Sequence, residues 1–115
     1  MSIPELFEQV ERWGWCYLLT VSDGAVPGAE RPHLLALAPT VVGDEAERKL
    51  RFVTGGGTAY RNATARPAVT LVFPPGEHSD GYSLVVDGEA TVDAATDVAI
   101  VDVRPSGAVL HRPAP

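Results

Sequence analysis

Ile3, Leu6, Phe7 and Val10 recur at helical spacing, and Ser2-Ile3-Pro4-Glu5 supplies the Ser-x-x-Glu capping box that opens a helix. The spacing predicts a helix that ends near Arg12. From Trp15 to Ser22 the period drops to two, as in a strand: Trp15, Tyr17, Leu19 and Val21 project to one side, Cys16, Leu18, Thr20 and Ser22 to the other. Asp23-Gly24 and Pro27-Gly28 then mark a long loop. His33 to Val42 is nearly all apolar, which suits a strand buried on both faces, with Pro39 as its weak point. A polar turn over Gly43 to Arg48 leads into a third strand, Lys49 to Thr54.

Gly55-Gly56-Gly57 follows, and Thr58 is expected to cap a short helix that Pro67 stops, because the residue before proline avoids the helical region. Ala68 to Phe73 reads as a fourth strand, broken by Pro74-Pro75-Gly76. Tyr82 to Val86 and Glu89 to Asp93 read as two more, with Asp87-Gly88 a turn or bulge between them. Val98 to Val103 resembles another strand. Pro105-Ser106-Gly107 is expected to turn the chain into a last short strand, Ala108 to His111. There is no repeat and no linker. The pattern therefore describes one domain over residues 1–115, mainly β with short helices, in which some six strands point to a barrel.

Composition narrows the classes. A hydrophobic fraction of 45% excludes wholesale disorder. A net charge of −6, with no Lys/Arg cluster, argues against nucleic acid and against an anionic membrane surface. No apolar run approaches a membrane span, and Glu5, Glu8 and Glu11 stand where a signal peptide would be basic, so the expected location is cytoplasmic. Cys16 is the lone cysteine and sits in an apolar run, which reads as a small core residue. His33, His78 and His111 have no metal-ligand spacing, so no metal site is expected. Of these, His33 opens a strand where it could face a ligand. No nucleophile elbow or hydrolase triad is present, and no catalytic side chain is assigned.

The most informative stretch runs from Phe52 through the three glycines to Asn62. A strand, a glycine turn and a helix start leave free N–H groups at the positive end of a helix, where anions bind. Thr54 and Thr58 offer hydroxyls, and Arg61 can grip a phosphate with two parallel hydrogen bonds. The spacing fits neither the P-loop nor the Rossmann fingerprint. Trp13, Trp15, Tyr17, Tyr60 and Tyr82 could stack on a flat ring, or serve in the core or a subunit interface.

The order of these pieces resembles the pyridoxamine 5′-phosphate oxidase-like family, the FMN- and deazaflavin-binding split barrels. Tyr17-Leu18-Leu19-Thr20-Val21-Ser22-Asp23-Gly24 matches the first strand and turn, and Arg31-Pro32-His33-Leu34 resembles the family's G-x-P-H entry to strand two. Leu50 to Thr54 resembles L-x-F-x-T. Gly57 through Leu71 resembles G-R-K-x-R-N-L-x-R-D-P-R-V-T-L, and Tyr82 to Val92 resembles Y-x-x-V-x-G-x-A-x-V. The resemblance implies a split β-barrel of six to seven strands and a homodimer with FMN or F420 in a groove between subunits. It implies cofactor contacts at Thr54, Gly57, Thr58, Arg61 and Asn62, with His33 and Leu35 lining the groove. Thr58-Ala59 replaces the family's Arg-Lys, so the usual phosphate-binding lysine position is Ala59. The chemistry implied is that of a flavin oxidoreductase. The alternative is a non-catalytic split-barrel dimer that has lost flavin or carries another small ligand such as heme.

Overall fold

In the computed structural model, which describes residues 1–24, 27–55, 57–93 and 98–114, α1 spans Ile3–Trp13. Its capping box is complete. The Glu5 N–H donates to Ser2 Oγ at 3.2 Å, and the Glu5 carboxylate accepts from both the hydroxyl and the N–H of Ser2. Those bonds hold the Glu5 carboxyl below its ordinary pKa. Leu6, Val10 and Trp13 form the buried stripe of α1, and the N-terminal ammonium donates to the Ala108 carbonyl at 3.1 Å.

Seven strands follow: β1 (Cys16–Val21), β2 (Pro32–Leu37), β3 (Thr40–Val42), β4 (Lys49–Val53), β5 (Ala68–Phe73), β6 (Ser83–Asp93) and β7 (Ile100–His111); α2 (Thr58–Ala65) lies between β4 and β5. Every pairing is antiparallel, in the order β2-β1-β5-β6-β7-β4-β3. The order itself requires a barrel. β2 and β3 occupy opposite edges of the sheet, yet only Ala38 and Pro39 separate them in the chain. Two intervening residues reach at most about 11 Å between Leu37 and Thr40, so the sheet must curl until its edges approach.

This differs from the single strand expected over His33 to Val42. Pro39 has no N–H to give a ladder and biases Ala38 away from regular pairing, so the run splits and its halves pair with different neighbours. Nor is β2 buried on both faces: it alternates half-buried and exposed, with Leu34 57% exposed.

The second difference lies in β6 and β7. Asp87-Gly88, expected as a turn or a bulge, lies at a bulge inside one long strand, and Pro105-Ser106-Gly107, expected as a turn, also sits inside one long strand. The two irregularities face each other. Gly88 pairs with Pro105 and Asp87 with Gly107, so Ser106 is the extra residue of a β-bulge, and its hydroxyl donates to the Asp87 carbonyl at 3.1 Å. A bulge is the place where a strand tolerates proline. Gly88 is required there by space: a Cβ would stand 2.7 Å from both the Arg104 carbonyl oxygen and Val103 Cγ1. Gly88→Ala is expected to cost about 1–3 kcal/mol, read as a lowered urea midpoint with an unchanged slope.

The core is the inner face of this curl. Leu18, Leu50, Phe52, Leu71, Phe73, Leu84, Val86, Val101 and Val103 are fully buried, with Ala59 and Ala63 of α2 closing over them. Cys16 belongs to this core, and burial pushes its thiol up to about 12, which makes it an inert packing group. Among the described residues, no helix is long and apolar enough to cross a membrane.

Candidate functional site

β4 ends at Val53, and Thr54 is tied to the start of β7: its N–H and its hydroxyl both donate to the Ala99 carbonyl, at 2.9 and 3.1 Å. The chain then turns through glycines. Gly55 and Gly57 adopt φ of +70° and +86°, the left-handed region that glycine enters without strain; Gly56 lies outside the described residues. A Cβ at Gly55 or Gly57 would meet nothing within 4 Å, so the space beside the turn is open.

Gly57, not the expected Thr58, is the N-cap of α2, because Thr58 already has helical geometry as its first residue, and Gly57 offers no side chain to the first-turn N–H groups. An anion placed there would face donors unsatisfied by any capping side chain, at the positive end of the helix dipole. Thr58 and Arg61 are exposed at the same end, with Arg61 Nη2 donating to Thr58 Oγ1 at a long 3.4 Å. Among the described residues Arg61 has no carboxylate within 4.0 Å, in contrast to Arg51, bidentate on Asp102, and Arg66, which pairs with Asp23 and Glu30. Among the described residues, then, the side-chain partner of Arg61 is a hydroxyl and not a carboxylate.

The remaining candidates face inward. Asn62 is 6% exposed and donates from Nδ2 to Thr20 Oγ1 at 3.1 Å, a bond that pins α2 to β1. Leu35 packs against the core. His33 stands opposite Thr20 in the β1–β2 register; it is half-buried, and its Nδ1 is closed to solvent without a hydrogen-bond partner. The seven candidates thus divide. Gly57, Thr58 and Arg61 form an exposed rim, while Asn62, His33 and Leu35 lie on the barrel side of the helix, and the Thr54 hydroxyl bonds the Ala99 carbonyl. Thr20 was not singled out from the sequence. Its signal was a hydroxyl in the same inward series as Cys16 and Leu18, a core position that demands a polar partner.

Ala59 is 1% exposed. A lysine at this position would direct its long side chain into the packed interface between α2 and the sheet, so the local backbone does not present this position to a phosphate.

The five aromatic candidates also separate. Trp13 is in the core, edge-on to Phe73 and His78. Tyr60 is half-buried against the core, and Tyr82 lies under Arg112. Trp15 and Tyr17 remain on the outer face of the sheet, 47% and 36% exposed, in an edge-to-face pair at 5.1 Å.

Two solved structures share this architecture: the conserved hypothetical protein Rv2991 from Mycobacterium tuberculosis and the FAD binding protein from Mycobacterium smegmatis. The first has a TM-score of 0.66 at 17% identity, covering 96% of this chain and 84% of its own. The second has 0.63 at 17% identity, covering 99% and 98%. The fold they share with this chain is a mainly β split barrel. In sequence, uncharacterised proteins of Mycobacterium bovis and M. tuberculosis are each 38% identical over 122 residues, covering 99% of this chain and 82% of theirs. The chain belongs to the family of these mycobacterial proteins. No family model matches it.

Proposed function

We propose that this chain is a flavin- or deazaflavin-binding split barrel that works as a homodimer, with the cofactor's phosphate held at the start of α2. The observation that carries the reading is the glycine turn. It leaves open space beside a helix N-terminus without a side-chain cap, next to an arginine without a carboxylate partner among the described residues. The fold's likeness to the FAD binding protein of M. smegmatis supports a flavin as the class of ligand. In this proposal Gly57 and Thr58 supply backbone N–H groups, Thr58 a hydroxyl, and Arg61 a charged fork. Asn62 holds the helix in place through Thr20 rather than touching the ligand. A bound FMN or F420 would supply hydride transfer at its ring, and the chain would supply position and electrostatics; no side chain is given an acid or base role.

The dimer is supported by the outer face of the sheet. Ala36, Tyr17, Val72, Val85 and Val109 are successive cross-strand partners, forming an apolar row across β2, β1, β5, β6 and β7. Trp15, Leu19 and Leu34 widen it, and Leu34 and Val109 are more than half exposed. Contiguous apolar surface of this kind on a 12.2 kDa chain marks a protein contact.

Titration of the purified protein with FMN, FAD, F420 and riboflavin tests the ligand. Quenching of cofactor fluorescence at micromolar affinity is expected for at least one phosphate-bearing cofactor. Arg61→Ala should weaken that ligand by about 1.5–3 kcal/mol, or roughly ten- to 150-fold. Riboflavin, which lacks the phosphate, should be unaffected. Equal loss for both would place Arg61 elsewhere than on the phosphate. The buried Ala59 favours a second reading, a split-barrel dimer that binds no flavin. Failure of all four titrations would establish it, with heme the next ligand to examine.

A further inference from the structure

We propose that the cavity beneath the first turn of α1 is a binding site for a small carboxylate with an apolar body. This cavity lies between α1, the β3–β4 turn and β7, and it has a volume of about 210 Å³. It shares no residue with the glycine turn or α2. Pro4, Phe7 and Pro105 give it apolar walls, Arg48 and Arg104 give it two cations, and Glu45 is its lone acid.

Arg48 carries the argument. Its guanidinium lies over the Phe7 ring, 5.0 Å from the centroid, and its Nε is closed to solvent with no hydrogen-bond partner. A buried N–H without an acceptor is an uncompensated cost. The contact with Phe7 holds the guanidinium at the cavity wall, where its terminal nitrogens, and not the buried Nε, can meet an acceptor. Neither Arg48 nor Arg104 has a carboxylate within 4.0 Å among the described residues, although Glu45 lines the same cavity and Glu89 is the cross-strand neighbour of Arg104. In a chain of net charge −6, two arginines left without ion pairs around one apolar cavity are a local inversion of charge. A monoanion fits better than a multiply charged phosphate, because Glu45 repels a second negative charge and the apolar walls offer it nothing. The volume lies below the range that holds drug-sized molecules, and suits a ligand of benzoate's dimensions.

The test uses the full chain, ¹⁵N-labelled, titrated separately with benzoate, benzyl alcohol and inorganic phosphate and followed by amide chemical shifts. Benzoate is expected to give saturable shifts centred on Phe7, Ala46, Arg48 and Arg104, with benzyl alcohol and phosphate giving none there. Arg48→Gln and Arg104→Gln are each expected to weaken benzoate roughly tenfold or more. Arg104 is on an exposed strand position, so its variant reports on binding even if loss of the Arg48 contact with Phe7 loosens the fold. Benzyl alcohol binding as well as benzoate, phosphate matching benzoate, shifts centred on Gly57 to Arg61 instead, or wild-type affinity in Arg104→Gln would each overturn the proposal.

Discussion

Phe73→Ala is expected to remove about 3–5 kcal/mol of stability, a fall in melting temperature of roughly 12–20 °C for a chain of this length. Phe73 is fully buried at the end of β5, where it pairs with Leu84 of β6. It is also the surface on which α1 ends. Trp13 meets its ring edge-on at 6.5 Å and 69°, and in turn receives His78 at 4.7 Å and 85°. Truncation therefore opens a cavity at the junction of helix, sheet and the loop that carries His78. Leu6, Val10 and Trp13 are the residues that dock α1, so loss of the ring under Trp13 should also loosen the helix. A Trp15→Phe background leaves Trp13 as the single indole. In it, Phe73→Ala should red-shift emission before the melt as well as lowering the midpoint. The double variant with Trp13→Ala should be less destabilised than the sum, because the two rings touch. A loss below about 1 kcal/mol, outside the range for large buried aromatics, would mean that this corner is not packed as described.

What the sequence made legible was whatever is decided by neighbours in the chain. The capping box and the apolar spacing placed α1 within a residue of its observed end, and Ala68–Phe73 coincides with β5. Alternation separated Cys16, Leu18 and Thr20 from Tyr17, Leu19 and Val21 on β1, and the structure buries the first series. The errors arise where a distant partner decides. Asp87-Gly88 is compatible with a turn or a bulge, and Pro105-Ser106-Gly107 read by itself is a turn that breaks a strand. Paired, they cancel into one bulge, and β6 and β7 become the longest ladder in the sheet. Pro39 was visible as a weakness, but only closure of the barrel gives its two sides different partners. The same limit applies to the candidate site. The glycine turn, Thr58 and Arg61 are local and were found together. The bond from Asn62 to Thr20 joins positions 42 residues apart, and this partner within the fold cannot be read from the neighbours of either residue.

Val85→Asp is expected to convert a dimer into a folded monomer, weakening association by at least about a thousandfold, or ~4 kcal/mol. Val85 is central in the outer apolar row, flanked by Val72 and Val109 across its two neighbouring strands. In a two-fold interface one substitution enters twice, so two carboxylates would be buried without a cationic partner. The nearest polar pair on this face, Thr70 donating to Asp87 at 2.7 Å, is already satisfied and provides no counter-charge. Light scattering should therefore give the 12.2 kDa chain mass for the variant and twice that for the wild type. Thr91→Asp, an exposed position farther along β6 opposite Asp102 and outside the apolar row, should remain dimeric. A second readout links assembly to ligand. If the cofactor's ring lies in a groove made by two subunits, flavin affinity falls with the dimer in Val85→Asp, while Arg61→Ala lowers affinity and leaves the mass unchanged. A wild type that is monomeric at micromolar concentration, or a Val85→Asp variant that still dimerises, would leave the apolar row without a partner and the groove without its second wall.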